Sequence, residues 1–270
     1  MTEQSPKRQS AIAFSERLLG VAIDTVASSK VEITELGARD PKIVALALLC
    51  RTISNFKGAM VMVREDLIIE AQTLTRCCYE NLIWIAALRD RGSQFVNDML
   101  NDEAANRKTV GQNTLKLSSR AGANSEAADA RLLRELIRQS EAQFPDGRKL
   151  HVDKTASGTA IELVYATYAQ LSLGSAHPTI TALGRHLRSE LEGNTRHFVI
   201  HVVPEVPEKQ LLRTMRWACE AFLGVIVACN EMLGGTRMND AIREAFEEQP
   251  RVFTLDADGY EKEVDKTKSR

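Results

Sequence analysis

Residues 40–63, DPKIVALALLCRTISNFKGAMVMV, and residues 66–88, DLIIEAQTLTRCCYENLIWIAAL, decide the fold. Asp40 offers a side-chain oxygen to the first free N–H groups of a helix. Pro41 then stands in the first turn, where a missing N–H costs nothing and a fixed φ suits the helix. From Ile43 to Cys50 the chain is apolar around most of a helical circumference, and the second segment is almost continuously apolar to Leu88. Helices apolar all round belong in the middle of a protein. The two segments therefore predict the central helices of a bundle, either as an antiparallel pair or as one long rod kinked near Lys57-Gly58 and Arg64-Glu65.

Working outward, Ala13, Leu18, Val21, Ala22 and Val26 recur near helical spacing and predict a first helix over Ser10 to Ala27. Downstream, Ser93 is placed to cap a more polar helix running to about Ser119. Asn124-Ser125 is placed to cap another from Glu126 to Gln143, whose stripe is Leu132, Leu133, Leu136 and Ile137, and Pro145-Asp146-Gly147 ends it. A further helix is expected from Thr159 to Leu173, stopping before Ala176-His177-Pro178 because the residue ahead of a proline disfavours helix. Thr179 to Leu187 and Arg196 to Val203 are rich in β-branched residues and flank Glu192-Gly193-Asn194, which predicts a short β-hairpin excursion near 179–203. A last long helix spans Pro207 to Leu233 and ends on Gly234-Gly235. A short helical piece near Asp240 to Glu247 and a charged, poorly ordered tail beyond Pro250 complete the reading. The expected class is all-α, a helical bundle with two central apolar helices and a β-hairpin. Its parts are an N-terminal helix and connector over 1–40, a main helical domain over 41–235, and a short helix with a charged tail over 236–270.

Lys plus Arg number 35 against 36 for Asp plus Glu in 270 residues, so no whole-protein field draws the chain to nucleic acid or to an acidic membrane. Five cysteines, Cys50, Cys77, Cys78, Cys219 and Cys229, form no C-x-x-C pair and read as small core hydrophobes in a reducing compartment. Met1 to Arg8 carries charges with no apolar stretch behind them. Apolar runs such as Ala221 to Cys229 are far shorter than the roughly 20 residues that span a bilayer. The expectation is a cytoplasmic chain with no membrane partner, no cofactor and no resident metal.

Chemistry enters through polar residues set inside apolar helices. Arg51 and Asn55 lie one turn apart in the first central segment, and Gln72, Arg76 and Glu80 lie one turn apart in the second. Burial of such groups is costly unless they pair, so they should meet across the helices or line a polar cavity. The result is a structural salt-bridge network, a small-molecule or phosphate pocket with the arginines as anion clamps, or a solvent-facing stripe with no special role. Tyr168, Ser172, Ser175 and His177 form a second constellation, with His177 placed either as a base or as a donor to the last carbonyls of its helix. A third is Arg196-His197-Phe198-Val199-Ile200-His201, which resembles the R-x4-H pattern of the metal-independent HEPN ribonucleases, with Arg196 and His201 as the reacting pair. That family carries the pattern on a helix, whereas here it falls in an expected strand. On a strand, His197 and His201 share a face, and with His186 they would instead suggest a metal-dependent hydrolase. Leu255-Asp256-Ala257-Asp258-Gly259 opens like a calcium loop, but its glycine is misplaced and the terminal glutamate is missing.

Taken together, Asp66 to Glu80 with Glu70, Arg76 and Glu80, then Tyr168, Leu171, Ser172 and His177-Pro178, resemble an uncharacterised bacterial family known only as a domain of unknown function, the 5677 family. The resemblance covers about Val44 to Leu233. It implies a helical fold and a polar centre made by Glu70, Arg76, Glu80, Ser172 and His177. The function expected is that of a ligand-binding or regulatory helical protein. A HEPN-like nuclease of a toxin or phage-defence system is the alternative, and nucleic acid would be a partner only there. An apolar helix face leaves a homo-oligomer open.

Overall fold

The structure, a computed structural model, describes residues 5–32, 34–122, 127–145, 147–192, 195–204 and 206–254. Helix follows helix: α1 (Pro6–Ser28), α2 (Pro41–Arg64), α3 (Ile68–Arg91), α4 (Ser93–Arg120), α5 (Ala128–Gln143), α6 (Val152–Ala156), α7 (Val164–Leu171) and α8 (Ile180–Leu183). The hairpin β1 (Leu187–Glu192) and β2 (Thr195–Ile200) precedes α9 (Glu208–Met232) and α10 (Asn239–Val252). The protein is an all-α bundle carrying one two-stranded antiparallel sheet.

Local chemistry sets the boundaries. Asp40 caps α2, its Oδ1 accepting from the Lys42 N–H at 2.8 Å, and its other oxygen accepts from the Thr34 hydroxyl at 2.8 Å. The α2 and α3 segments form an antiparallel pair. Asn81 donates to Thr52 Oγ1 at 3.0 Å, and a Cβ at Gly58 would lie 3.0 Å from Leu74 Cδ1. Partners thus descend along α3 as they climb along α2. The break between them falls at Asp66, which adopts φ +58°, a conformation that asparagine and aspartate tolerate better than most residues. Arg8 fastens that corner, donating to the Val63 carbonyl at 2.6 Å and pairing with Asp66 at 2.9 Å. At the other end of the chain, Gly234 and Gly235 adopt φ +80° and +90° and close α9, with the Gly235 N–H reaching back to the Asn230 carbonyl at 2.9 Å.

The chain divides into two compact units. The first comprises the chain up to Lys30, Leu46–Leu82 and the chain from Ala166 onward. Its core is aromatic at the centre, with Phe56 stacked on Phe222 at 4.2 Å between centroids and Phe14 edge-on to Phe253 at 6.0 Å. Phe56, Phe222, Leu49, Ala59, Val63 and Met215 are fully enclosed. Gly224 admits close approach of α9 to α3, since a Cβ there would lie 2.8 Å from Leu82 Cδ1. The second unit comprises Val31–Ala45 and Ile83–Tyr165. In it Trp84 packs on Phe95 at 5.6 Å, and Asp98, nearly enclosed, pairs with Arg91 at 3.2 Å and with Arg148 at 3.5 Å. Among the described residues α2 is the one helix long and apolar enough, by length and composition alone, to cross a membrane, a property it shares with core helices in general.

Several expectations need correction. The α4 helix begins at Ser93 after Gly92, whose φ of +54° turns the chain, so Ser93 is inside the helix and is not its cap. The helix expected from Thr159 starts only at Val164, because Gly158 at φ +74° and the turns after it interrupt the run. Ile180 to His186 is helical, an α turn to Leu183 and then a 3-10 turn, where a strand was expected. The Thr179 hydroxyl accepts from the Ala182 N–H at 3.1 Å, and this cap outweighs β propensity. The first strand is consequently Leu187–Glu192. The short helix near Asp240 continues through Pro250 to Val252. Arg251 and Val252, expected in a poorly ordered tail, end α10 instead, while the Asn124-Ser125 cap, the Gly193-Asn194 turn, the rest of the tail from Leu255 and the discarded calcium loop lie outside the described residues.

Candidate functional site

The stripe Gln72, Arg76 and Glu80 on α3 faces α7 and the turn that follows it. Arg76 is its hub. Its Nε donates to Ser172 Oγ at 2.9 Å, its Nη2 to the Tyr168 hydroxyl at 2.6 Å, and its Nη1 pairs with Glu80 at 3.3 Å. The guanidinium also stands 4.8 Å from the Tyr168 ring centroid. Ser172, having accepted from Arg76, donates to the Tyr168 carbonyl at 2.9 Å. Burial, and after it the charge of Glu80, pushes the Tyr168 hydroxyl up from its ordinary value, so it stays protonated. After Leu171 the helix widens into one π turn, Ser172–Ala176, and such turns are frequent at functional sites. His177 follows in extended conformation, as the proline after it requires.

One helical turn before Arg76, the enclosed Gln72 spans two elements. Its carbonyl oxygen accepts from Arg185 at 2.9 Å, and its amide donates to Thr214 Oγ1 on α9 at 3.2 Å. Arg185 and Arg213 are close enough to repel. Burial first, and then the Arg213 charge, lowers the Arg185 pKa. Arg213 lies over the Trp217 ring at 5.0 Å, and its buried Nε has no hydrogen-bond partner. Among the described residues neither of these two guanidiniums is paired with a carboxylate. The π turn passes close by, since a Cβ at Gly174 would lie 3.4 Å from Arg185 Nη2. On the other side of the stripe, the Tyr79 hydroxyl donates to Glu220 at 3.3 Å, and Glu220 pairs with Arg216 at 2.7 Å. That corner is neutral, whereas the Arg185 and Arg213 corner carries two positive charges with no carboxylate partner among the described residues.

The structure thus brings together Arg76, Glu80, Tyr168 and Ser172 and leaves the six other expected site residues outside. Arg51 is exposed: it lies about 100° around α2 from the buried Thr52. Asn55 is half-buried with its Nδ2 enclosed and unpartnered, but no contact joins it to Arg76. Glu70 is exposed at the start of α3, about 120° around the helix from Arg76, and His177 is exposed beyond the π turn. Arg196 stands on β2 opposite Leu191 and is exposed. His201 follows the strand, exchanging contacts with His186 through its N–H at 2.8 Å and its carbonyl at 2.9 Å. Five residues apart in extended chain, Arg196 and His201 project to opposite faces. His197 lies 3.7 Å from Glu192. Among the described residues no group of three His, Cys, Asp or Glu side chains converges as a metal site requires.

Arg185 and Arg213 were missed by sequence reasoning. Arg213 had a signal, since it adjoins Thr214, a polar residue on the buried stripe of α9. Arg185 had none, because its segment reads as strand.

The chain belongs to the family described as Family of unknown function (DUF5677), which matches residues 42–195. The matched span takes in α2, α3, α7, the π turn and Arg185, and it ends before α9. No curated protein and no solved structure matches the chain.

Proposed function

We propose that this protein binds a small anion, through a phosphate or carboxylate group, at the corner formed by Gln72, Arg185 and Arg213, and that the Arg76 cluster is the scaffold holding that corner in place. The observation that carries the reading is the pair of half-buried arginines, Arg185 held by Gln72 and Arg213 with its Nε unpartnered, whose charges act on one another and which meet no carboxylate among the described residues. Two like charges drawn out of water repel and lose hydration, a cost that an anionic ligand offsets through charge-assisted hydrogen bonds. The enclosed Gln72 fixes one guanidinium and the Trp217 ring supports the other, so little side-chain freedom remains to be lost on binding. The π turn at Ser172–Ala176 joins the Arg76 cluster to the corner, a route by which occupancy would be felt along α7.

Calorimetric titration with inorganic phosphate and with a dicarboxylate tests this. One of the two should give a saturable one-site isotherm. Arg213→Gln should weaken binding by about 10- to 100-fold, as loss of a charged hydrogen bond worth about 1.5–3 kcal/mol requires. Absence of saturable binding of either probe, or binding indifferent to Arg213→Gln, rejects the reading.

A further inference from the structure

The hairpin offers an exposed edge with an internal symmetry. Both strands are exposed along their whole length. Their register pairs Leu187 with Ile200, Ser189 with Phe198 and Leu191 with Arg196 on one face, and Arg188 with Val199, Glu190 with His197 and Glu192 with Thr195 on the other. The His201 N–H donates to the His186 carbonyl in the same register, so that carbonyl is turned toward β2. Alternation along an antiparallel ladder then turns Arg188, Glu190 and Glu192 inward toward β2. It leaves the N–H and C=O groups of Ser189 and Leu191 and the C=O of Leu187 pointing outward from β1, the Leu187 N–H being held by the Gly184 carbonyl.

We infer that the β1 edges of two copies of this chain pair antiparallel across a two-fold axis centred on Ser189, making a four-stranded sheet. Centred there, Ser189 meets its own equivalent and can exchange both hydrogen bonds, and the Leu191 N–H of each copy meets the Leu187 carbonyl of the other, while the Leu187 N–H stays on the Gly184 carbonyl. On the opposite face the same register sets Arg188 against Glu190 of the second copy, twice over. Opposite charges and apolar pairs directly across strands stabilise a sheet, and like charges destabilise it. Within one copy Arg188 already lies 3.8 Å from Glu190, an exposed contact that cross-copy pairing exchanges for one directly across the ladder. The outer edge of β2 has no such symmetry. Centred on Phe198 it would set Arg196 against Ile200 and His197 against Val199, with no opposite charges to meet. Leu187 and Leu191 are 49% and 69% exposed, so the pairs that would cover them are open to a second copy. An isolated two-stranded hairpin is marginal in water, and an unprotected edge is a template for pairing, so a closed two-fold contact stabilises the one and satisfies the other.

The register is tested by charge reversal. Light scattering after size exclusion should give the full-length protein twice the mass of one chain. Arg188→Glu alone and Glu190→Arg alone each place like charges opposite one another twice, and each should run at the mass of one chain with an unchanged far-ultraviolet spectrum. Mixed in equal amounts, the two variants become complementary and should return to the doubled mass. A parent of single-chain mass, a dimer indifferent to both reversals, or a mixture that stays monomeric overturns the inference.

Discussion

Replacing Arg76 by methionine keeps most of the aliphatic stem and removes the guanidinium that joins α3 to α7 and the π turn. Two hydrogen bonds from a charged donor are lost, at 2.6 Å to Tyr168 and 2.9 Å to Ser172. Each is worth about 1.5–3 kcal/mol. The contact with the Tyr168 ring adds about 0.5–2 kcal/mol. The ion pair with Glu80 adds less than about 1 kcal/mol, because the two side chains remain 23% and 30% exposed. Ser172 keeps its bond to the Tyr168 carbonyl and so is not orphaned, and water can reach Glu80. The lower ends of these ranges apply, and the expected loss is about 3 kcal/mol. The two tryptophans make the measurement specific, since Trp217 belongs to the first unit and Trp84 to the second. In a Trp84→Phe background, urea unfolding followed by Trp217 fluorescence should shift its midpoint down by about 1–2 M at the usual dependence on denaturant, with the slope unchanged. A midpoint within about 0.3 M of the parent would mean that the cluster does not hold these elements together.

Phe222→Ala removes an enclosed ring stacked on Phe56 and should cost about 3–5 kcal/mol in the same Trp217 assay; an effect confined to Trp84 would refute the assignment of Phe222 to the first unit's core. The Asp40 carboxyl is held below the usual aspartate range by the Thr34 hydroxyl and the Lys42 N–H. Because the folded value is the lower one, its contribution is complete above the ordinary aspartate pKa and fades as pH falls through the folded value. Asp40→Ala should therefore flatten the acid-side decline in stability of the second unit, read through Trp84, and an unchanged decline would contradict the cap. Burial pushes the Cys219 and Cys229 thiols up to about 12 and Cys78 higher, whereas Cys50 is exposed. At neutral pH a disulfide reagent should label Cys50 first and reach Cys78, Cys219 and Cys229 only on unfolding; early labelling of Cys219 would count against the core described.

Where the sequence was legible, two signals agreed. Asp40-Pro41 announced a helix that the apolar run after it required, and the turn-spaced Gln72, Arg76 and Glu80 stood in a helix of apolar neighbours where partners were needed. The helical spacing of Tyr168 and Ser172 matched that stripe, and the structure joins them through Arg76. Legibility failed where rotation about a helix or a choice of backbone decided the outcome. Arg51 stands among apolar neighbours in the sequence, yet α2 buries the face bearing Leu48, Thr52, Phe56 and Ala59, and Arg51 looks outward. Glu70 and His177 belong to the ends of their elements, where helical spacing no longer dictates burial. Thr179 to Leu187 is β-branched enough to read as strand, but the threonine cap and Gly184 let it turn as helix and bring Arg185 to Gln72. The pairing of Arg185 with Arg213 depends on elements remote in sequence and leaves no local pattern.

The claim that this corner binds an anion is tested most directly by ligand-dependent stability of the first unit. Inorganic phosphate should raise the Trp217 unfolding midpoint of the parent with the logarithm of its concentration. The gain should reach about 2.7 kcal/mol at a hundredfold excess over the dissociation constant, while sodium chloride at matched ionic strength should do nothing comparable. In Arg185→Gln the response should fall to that of the chloride control. An equal rise in parent and variant, or none in the parent, would contradict it.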